Sequence, residues 1–342
     1  MESTSSLLAA IRGRLRPPGR GPIQGSLPSL DGATAWLNSP PLTPNELRGR
    51  VVVVQFWTFT CINWLRTLPY LRAWAARYKD QGLVIIGVHT PEFGIEKDVD
   101  AIRRSAKEMG VEYPIAIDSD YGVWRAFDNN YWPALYVFDA QGHLRHRQFG
   151  EGGYEHAEQI VQQLLAEAGA GNVPEGLSRT EIRGIEESGD PLALGSPETY
   201  VGHARAERFA SPGGAARDQR RIYEYPKDLA RNQWALAGDW TVGGQAVVSN
   251  AGNARIAYRF HARDLNLVLA PGPGTKAVQF RVLIDGQPPG SAHGLDVDER
   301  GVGTVSGPRL YQLIRQPAPI VDRRLEIEFL EPGAQVFSFT FG

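Results

Sequence analysis

Residues 51–78 read VVVVQFWTFTCINWLRTLPYLRAWAARY, and this stretch decides the fold of the first half of the chain. Val51 to Trp57 is a short, nearly unbroken apolar run, the pattern of a strand covered on both faces. Ile62, Leu65, Leu68, Leu71, Trp74 and Tyr78 then recur at helical spacing, and the helix is expected to stop near Lys79-Asp80-Gln81-Gly82. Cys61, the single cysteine of the chain, falls at the junction. There the unpaired N–H groups and dipole of a helix start favour negative charge, so its thiol is expected to ionise easily and act as a thiolate. The alternative reading of a lone cysteine is a small buried hydrophobe.

Working outward, Leu83 to Val88 reads as a second buried strand, and Ile95 to Met109 as one helix stopped by Gly110. A strand at 114–117, a short helix at 121–127, a hairpin of 134–138 and 143–149, and a closing helix at 154–168 follow. The order βαβαβαββα predicts a parallel or mixed sheet with crossover helices. Residues 170–194, rich in Gly, Pro and charge, read as a linker. Beyond them the apolar period becomes two, as in Ile256-Tyr258-Phe260, Leu265-Leu267-Leu269 and Phe337-Phe339-Phe341, which predicts an all-β sandwich of jelly-roll type. The expected division is an extension at 1–24, an α/β domain at 25–169, the linker, and a β-sandwich domain at 195–342.

The chain's 342 residues suit two domains. With 36 Lys plus Arg against 38 Asp plus Glu, the net charge of −2 offers no basic field for nucleic acid. The apolar run Leu7 to Ile11 is too short for a signal peptide, and no stretch is long enough to span a membrane, so a cytoplasmic location is expected. One cysteine cannot form an internal disulfide, so any redox partner of Cys61 lies outside the chain.

FWTFTC at 56–61 resembles the strand end before the active-site cysteine in the TlpA-like, or redoxin, branch of the thioredoxin superfamily. Pro69, eight residues after Cys61, and Trp132-Pro133 ahead of a strand match the kinking proline and the cis-proline of those folds. More widely, WTFTCINWLRTLPY, IGVHTPEF, NNYWPALYVFDAQG, FGEG, SPETYVG and FSFTFG resemble the soluble portion of DipZ-type proteins. That resemblance implies an α/β thioredoxin fold followed by a carbohydrate-binding-module-like β-sandwich. The family's Cys-x-x-Cys appears here as Cys61-Ile62-Asn63-Trp64, without the resolving cysteine.

Three readings of the site stay open. Cys61 is the nucleophile of a thiol oxidoreductase acting on a disulfide, with an external glutathione- or thioredoxin-like thiol as resolving partner. It is instead the peroxidatic thiol of a one-cysteine peroxidase, Thr58 standing at the peroxiredoxin threonine offset and Val54 where their proline would be. Or the fold survives as a redox-inactive adaptor. Trp57, Thr58, Thr60, Asn63, Trp64, Trp132 and Pro133 are expected to form the site, Trp64 as an apolar wall and Thr60 and Asn63 as caps or thiolate partners. His89 and Glu92 are the acid–base candidates, and Arg66 and Arg125 candidates for a substrate carboxylate. No metal or cofactor is expected, and the acidic stretch LDVDERGVG at 295–303 reads as a plain turn. Trp234, Trp240, Tyr258 and Tyr311 are candidates for a glycan-stacking platform, the alternatives for that domain being core packing and a protein ligand.

Overall fold

The apolar run at 51–57 lies in the middle of a six-stranded sheet because both of its faces are covered. The computed structural model describes residues 25–342, so the expected extension at 1–24 lies outside the described residues. The N-terminal strands are β1 (Ala35–Leu37), β2 (Val51–Trp57), β3 (Leu83–His89), β4 (Ile115–Ile117), β5 (Ala134–Phe138) and β6 (Leu144–Phe149). The helices are α1 (Ile62–Tyr78), α2 (Val99–Glu108), α3 (Gly122–Ala126) and α4 (Tyr154–Glu167). The sheet order is β1-β4-β3-β2-β5-β6, with β2, β3 and β4 mutually parallel and the other neighbours antiparallel. Val51, Val53 and Trp57 face α1, α2 and α4, whereas Val52, Val54 and Phe56 pack with Val123 and Phe127.

Two local readings need correction. The helix expected over 95–109 is a 3-10 turn at Gly94–Lys97 and then α2, because Asp98 caps α2 by accepting from the Asp100 N–H at 2.9 Å. The strand β1 was not expected; it pairs antiparallel with β4 at the sheet edge.

The C-terminal part contains β7 (Thr199–Tyr200), β8 (Arg220–Tyr223), β9 (Trp234–Val242), β10 (Val247–Ser249), β11 (Ala254–Phe260) and β12 (Asp264–Pro271). It continues with β13 (Val278–Ile284), β14 (Val302–Val305), β15 (Arg309–Arg315), β16 (Arg323–Phe329) and β17 (Ala334–Phe341). It is all β and antiparallel through these strands, in the order β14-β13-β16-β11-β9-β10-β17-β12-β15, with β7 added to β17 and β8 to β9. The two layers are one curled sheet. The first half of β9 pairs with β11 and its second half with β10, so the strand crosses from one layer to the other. Tyr258 and Phe339, on strands that are not hydrogen-bonded to each other, bring their rings to 4.8 Å across the core.

Alternation along β12 joins the two parts. Leu265, Leu267 and Leu269 enter the β core, whereas Val268 and Ala270 on the opposite face join the N-terminal core together with Ala246, Leu310 and Phe337. Phe93 meets Phe337 at 5.2 Å between ring centroids. Residues 170–194 are docked along this junction: Arg72 bonds Glu186 at 2.8 Å, Arg315 bonds Glu187 at 2.8 Å, and Arg263 donates to the Ser188 carbonyl at 2.7 Å. The charges that mark the segment as a linker are what anchor it to both parts. Among the described residues no helix is long and apolar enough to cross a membrane.

Candidate active site

Cys61 is the N-cap of α1, just beyond the end of β2, and it remains half-buried. The Cys61 N–H donates to the Thr58 carbonyl at 3.2 Å, and its own carbonyl accepts from Leu65 N–H at 3.0 Å, so the turn delivers the thiol to the first turn of the helix. The cis peptide Trp132-Pro133 lies at the same sheet end, since Ala134 is paired with Phe56. Trp132 is held there by its indole N–H, which donates to the Thr90 carbonyl at 3.0 Å.

The electrostatics differ from the expectation at a helix start. Burial pushes the Cys61 thiol well above its ordinary pKa; the Trp64 and Asn63 N–H groups pull the other way but are outweighed, and the charges of Glu198 and Glu92 raise it further. Solvent still touches the residue, yet protein crowds the sulphur from most directions. The expected easily ionised thiolate is therefore replaced by a protonated thiol at neutral pH, because burial outweighs the helix start and the two nearby carboxylates, Glu198 of the C-terminal part and Glu92 of the N-terminal part, add to it.

That cover is specific. Glu92 accepts from the Tyr200 hydroxyl at 2.5 Å and from Arg205 at 3.0 Å, and the Arg205 guanidinium lies 3.6 Å from the centre of the Tyr200 ring. The Gly94 N–H donates to Gln245 Oε1 at 2.9 Å. Glu198 is solvent-exposed beside this clasp, and the crowding and the negative charge of Glu92 raise its pKa. Glu198, Tyr200, Arg205 and Gln245 all come from the C-terminal part, and no spacing in the sequence points to them.

Several expected site residues are core instead. Trp64 is fully buried, stacks on Trp57 at 4.2 Å, and donates its indole N–H to Gln55 Oε1 at 3.0 Å. It is no apolar wall for a substrate, and its contribution to the sulphur is its backbone N–H. Gln55 in turn donates to Thr67 Oγ1 at 2.7 Å, and Thr67 to the Trp64 carbonyl at 2.7 Å. His89 is fully buried between Trp57 and Phe59, neither ring nitrogen has a partner, and burial pulls its pKa down to about 3. It stays neutral and has no polar group to exchange a proton with, so the acid–base expectation fails for it.

Thr60 is tied to a carboxyl that sequence reasoning missed. Its hydroxyl donates to Glu96, whose other oxygen accepts from the N–H groups of Glu92 at 2.5 Å and Phe93 at 2.8 Å. Glu96 thus pins the loop that carries Glu92, and burial raises its pKa to about 7. The Thr58 hydroxyl is buried without a well-formed hydrogen bond. Arg66 is buried and bonds Glu151 at 2.9 Å, and Arg125 caps the Asp120 carbonyl at 2.9 Å.

In the C-terminal part, Trp234, Trp240, Tyr258 and Tyr311 are fully buried, so the candidate glycan platform is core. Asp296 bonds Arg309 at 2.6 Å and Asp298 accepts from the Arg300 and Val302 N–H groups, which makes their loop a plain turn. No cluster of metal-ligating side chains occurs among the described residues.

A sheet whose central strand runs into a cysteine-capped helix, with a cis-proline turn alongside, defines a thioredoxin-like protein. Known proteins place it further. Residues 35–147 match the AhpC/TSA family and residues 196–342 the family described as "Thioredoxin like C-terminal domain". Protein DipZ of Mycobacterium tuberculosis is 37% identical over 322 residues, which is 93% of this chain and 43% of DipZ, so the chain spans less than half of that relative. The thiol-disulfide oxidoreductase YkuV of Bacillus subtilis is 35% identical over 145 residues, 42% of this chain and 97% of YkuV. A solved structure of a thioredoxin-like protein in its oxidised form is 35% identical and covers 42% of this chain and 97% of that one, with a TM-score of 0.39. The chain belongs to the thioredoxin-like thiol-disulfide oxidoreductase family, and it is a homologue of the matching portion of DipZ.

Proposed function

We propose that the chain is a single-cysteine thiol-disulfide oxidoreductase that works through a mixed disulfide at Cys61 and relies on an external thiol to resolve it. The observation that carries this reading is the position of Cys61: half-exposed at the N-cap of α1, with Trp64 filling the place of a second thiol. In the first step Cys61 loses its proton and its sulphur attacks one sulphur of a disulfide. The Cys61–S–S–R bond forms, the substrate S–S bond breaks, and the released thiolate takes up a proton. In the second step an external thiol attacks the substrate sulphur, gives a new disulfide and returns Cys61 as a thiol. Cys61 is a poor leaving group because its thiol is held protonated, so the mixed disulfide is long-lived unless that thiol is abundant.

The surroundings argue against a peroxidase. A peroxidatic thiolate needs positive charge nearby, and the side-chain charges that act on this sulphur are the carboxylates of Glu198 and Glu92.

Incubation with glutathione disulfide, followed by mass spectrometry of the whole chain, tests the reading. One adduct per chain is expected, on Cys61 and lost in Cys61→Ser, forming about tenfold faster for each pH unit up to and beyond pH 9 as the thiolate fraction grows. An adduct rate already level at pH 7 would contradict the raised thiol. No adduct at pH 9, with the urea-unfolded chain reacting normally, would leave the adaptor reading.

A further inference from the structure

The charges around Cys61 do not balance. Arg66, on the helix that Cys61 caps, is bonded to Glu151 at 2.9 Å, and Arg205 is bonded to Glu92 at 3.0 Å. Glu198 forms no ion pair among the described residues, and Arg205, the cation that acts on it, is already held by Glu92. One carboxylate beside the thiol is therefore left without a cation of its own.

Strand alternation fixes where Glu198 points. Thr199 of β7 turns into the β core, where its hydroxyl meets the Tyr258 hydroxyl at 2.8 Å. Its neighbours Glu198 and Tyr200 therefore leave the chain on the opposite side, towards the N-terminal domain. There the Tyr200 hydroxyl reaches Glu92 at 2.5 Å, and Tyr200 packs against the same core as Cys61. Glu198 is exposed, and it and Glu92 are the side chains whose charges act on the sulphur. Because Cys61 keeps part of its surface open, a charged group carried close to an incoming sulphur enters the field of Glu198.

We propose that Glu198 selects the disulfide partner of Cys61 by charge, favouring disulfides that carry an ammonium or guanidinium group close to the sulphur over those that carry carboxylates. The proposal rests on the mixed-disulfide reading above and adds the substrate class. A cation beside the reacting sulphur supplies the partner that Glu198 lacks, whereas an anion is repelled by it. The selection needs no enclosed pocket, since it acts through the field at a half-exposed thiol. The covalent step is the balanced exchange already given. Glutathione disulfide, with its net negative charge, still forms the adduct, but more slowly than a cationic disulfide of equal intrinsic reactivity. Crowding and the charge of Glu92 push the Glu198 pKa up to about 8, with Tyr200 and Arg205 pulling the other way, so the selection strengthens between pH 7 and pH 9.

Two thiol reagents of similar size and opposite charge, trimethylammonium-ethyl and sulfonato-ethyl methanethiosulfonate, test this on the full-length chain. Each forms a mixed disulfide with the Cys61 thiolate and releases methanesulfinate, so the ratio of their rates cancels the thiolate fraction at any pH. Intact-mass kinetics at pH 9 and low salt are expected to give a cationic-to-anionic ratio about tenfold above that of the urea-unfolded chain. The ratio is expected to shrink at pH 7 and in high salt. In Glu198→Gln it falls severalfold and no longer rises with pH, and in Glu198→Lys it drops below that of the unfolded chain. A ratio equal in folded and unfolded chains, or one that Glu198→Gln leaves unchanged, would overturn the proposal. These reagents react with any accessible thiolate, so cystamine, a cationic disulfide, separates the two claims. A Cys61 adduct forming faster than with glutathione disulfide supports both, whereas charge preference towards the reagents without any cystamine adduct would overturn the mixed-disulfide reading.

Discussion

Trp64→Ala is expected to destabilise the chain by about 3–5 kcal/mol, the usual loss for truncating a fully buried large aromatic. The indole is 0% exposed and stacked on Trp57, and α1 does not move inward easily because Trp57 and the β2 backbone are fixed in the sheet. The truncation also strips Gln55 Oε1 of its donor, which adds about 1–3 kcal/mol for a buried acceptor left alone. Against a typical total of about 5–15 kcal/mol, the variant stands near or below the folding threshold. Trp64→Phe keeps most of the packing and loses only the N–H, so about 1–3 kcal/mol is expected. Urea unfolding of the three proteins measures this. A loss below about 1.5 kcal/mol in Trp64→Ala would mean that the residue does not fill the core as described.

A second large effect comes from two buried titratable groups with opposite slopes. His89 has its pKa lowered from 6.5 to about 3 by burial, so the unfolded chain takes up this proton first as pH falls. Its neutral form supports the fold fully above pH 6.5, and that support shrinks by about 1.4 kcal/mol per pH unit down to pH 3, a loss of about 3 kcal/mol by pH 4. Glu96 has its pKa raised from 4.5 to about 7, chiefly by burial. Its contribution is fully present below pH 4.5 and is lost as pH rises towards 7, by about 3 kcal/mol in all. Between pH 4.5 and 6.5 the two slopes cancel, so the wild-type profile hides both.

Single substitutions separate them. Relative to wild type, His89→Phe is expected to gain about 3 kcal/mol on going from pH 7 to pH 4. Glu96→Gln, whose carbonyl can accept the Glu92 and Phe93 N–H groups while its amide meets Thr60, is expected to gain about 3 kcal/mol on going from pH 4.5 to pH 8. Urea unfolding across pH shows either divergence. Parallel curves for variant and wild type would show that the group is not held in its neutral form.

The first half of the fold was legible because its signals are local. Val51–Trp57 is apolar at every position but Gln55, and α1 repeats its apolar residues at helical spacing, so strand, turn and helix placed Cys61 before any long-range contact was known. The three-residue β1 has no such signal, since Ala35–Leu37 becomes a strand only by pairing with β4. In the site, Trp64 and His89 were misread because residue type does not say which way a side chain points. Both turn into the sheet, where packing and burial replace the roles their chemistry suggests. Gln55, the lone polar residue inside the apolar run, was a visible signal of a buried bond that the sequence reading passed over. The ionisation of Cys61 was not legible, since it follows from burial and from Glu198, which reaches the thiol only through the packing of a second domain.

In the mechanism proposed above, Cys61 completes a redox cycle only with a thiol from outside the chain. Following the intact mass of the full-length protein through one cycle tests this most directly: glutathione disulfide is added, the excess is removed, and reduced glutathione is then supplied. The Cys61 adduct is predicted to persist after removal and to revert to the free thiol only when the external thiol arrives. An adduct that never forms on the folded chain, or one that disappears without an added thiol, would contradict the account.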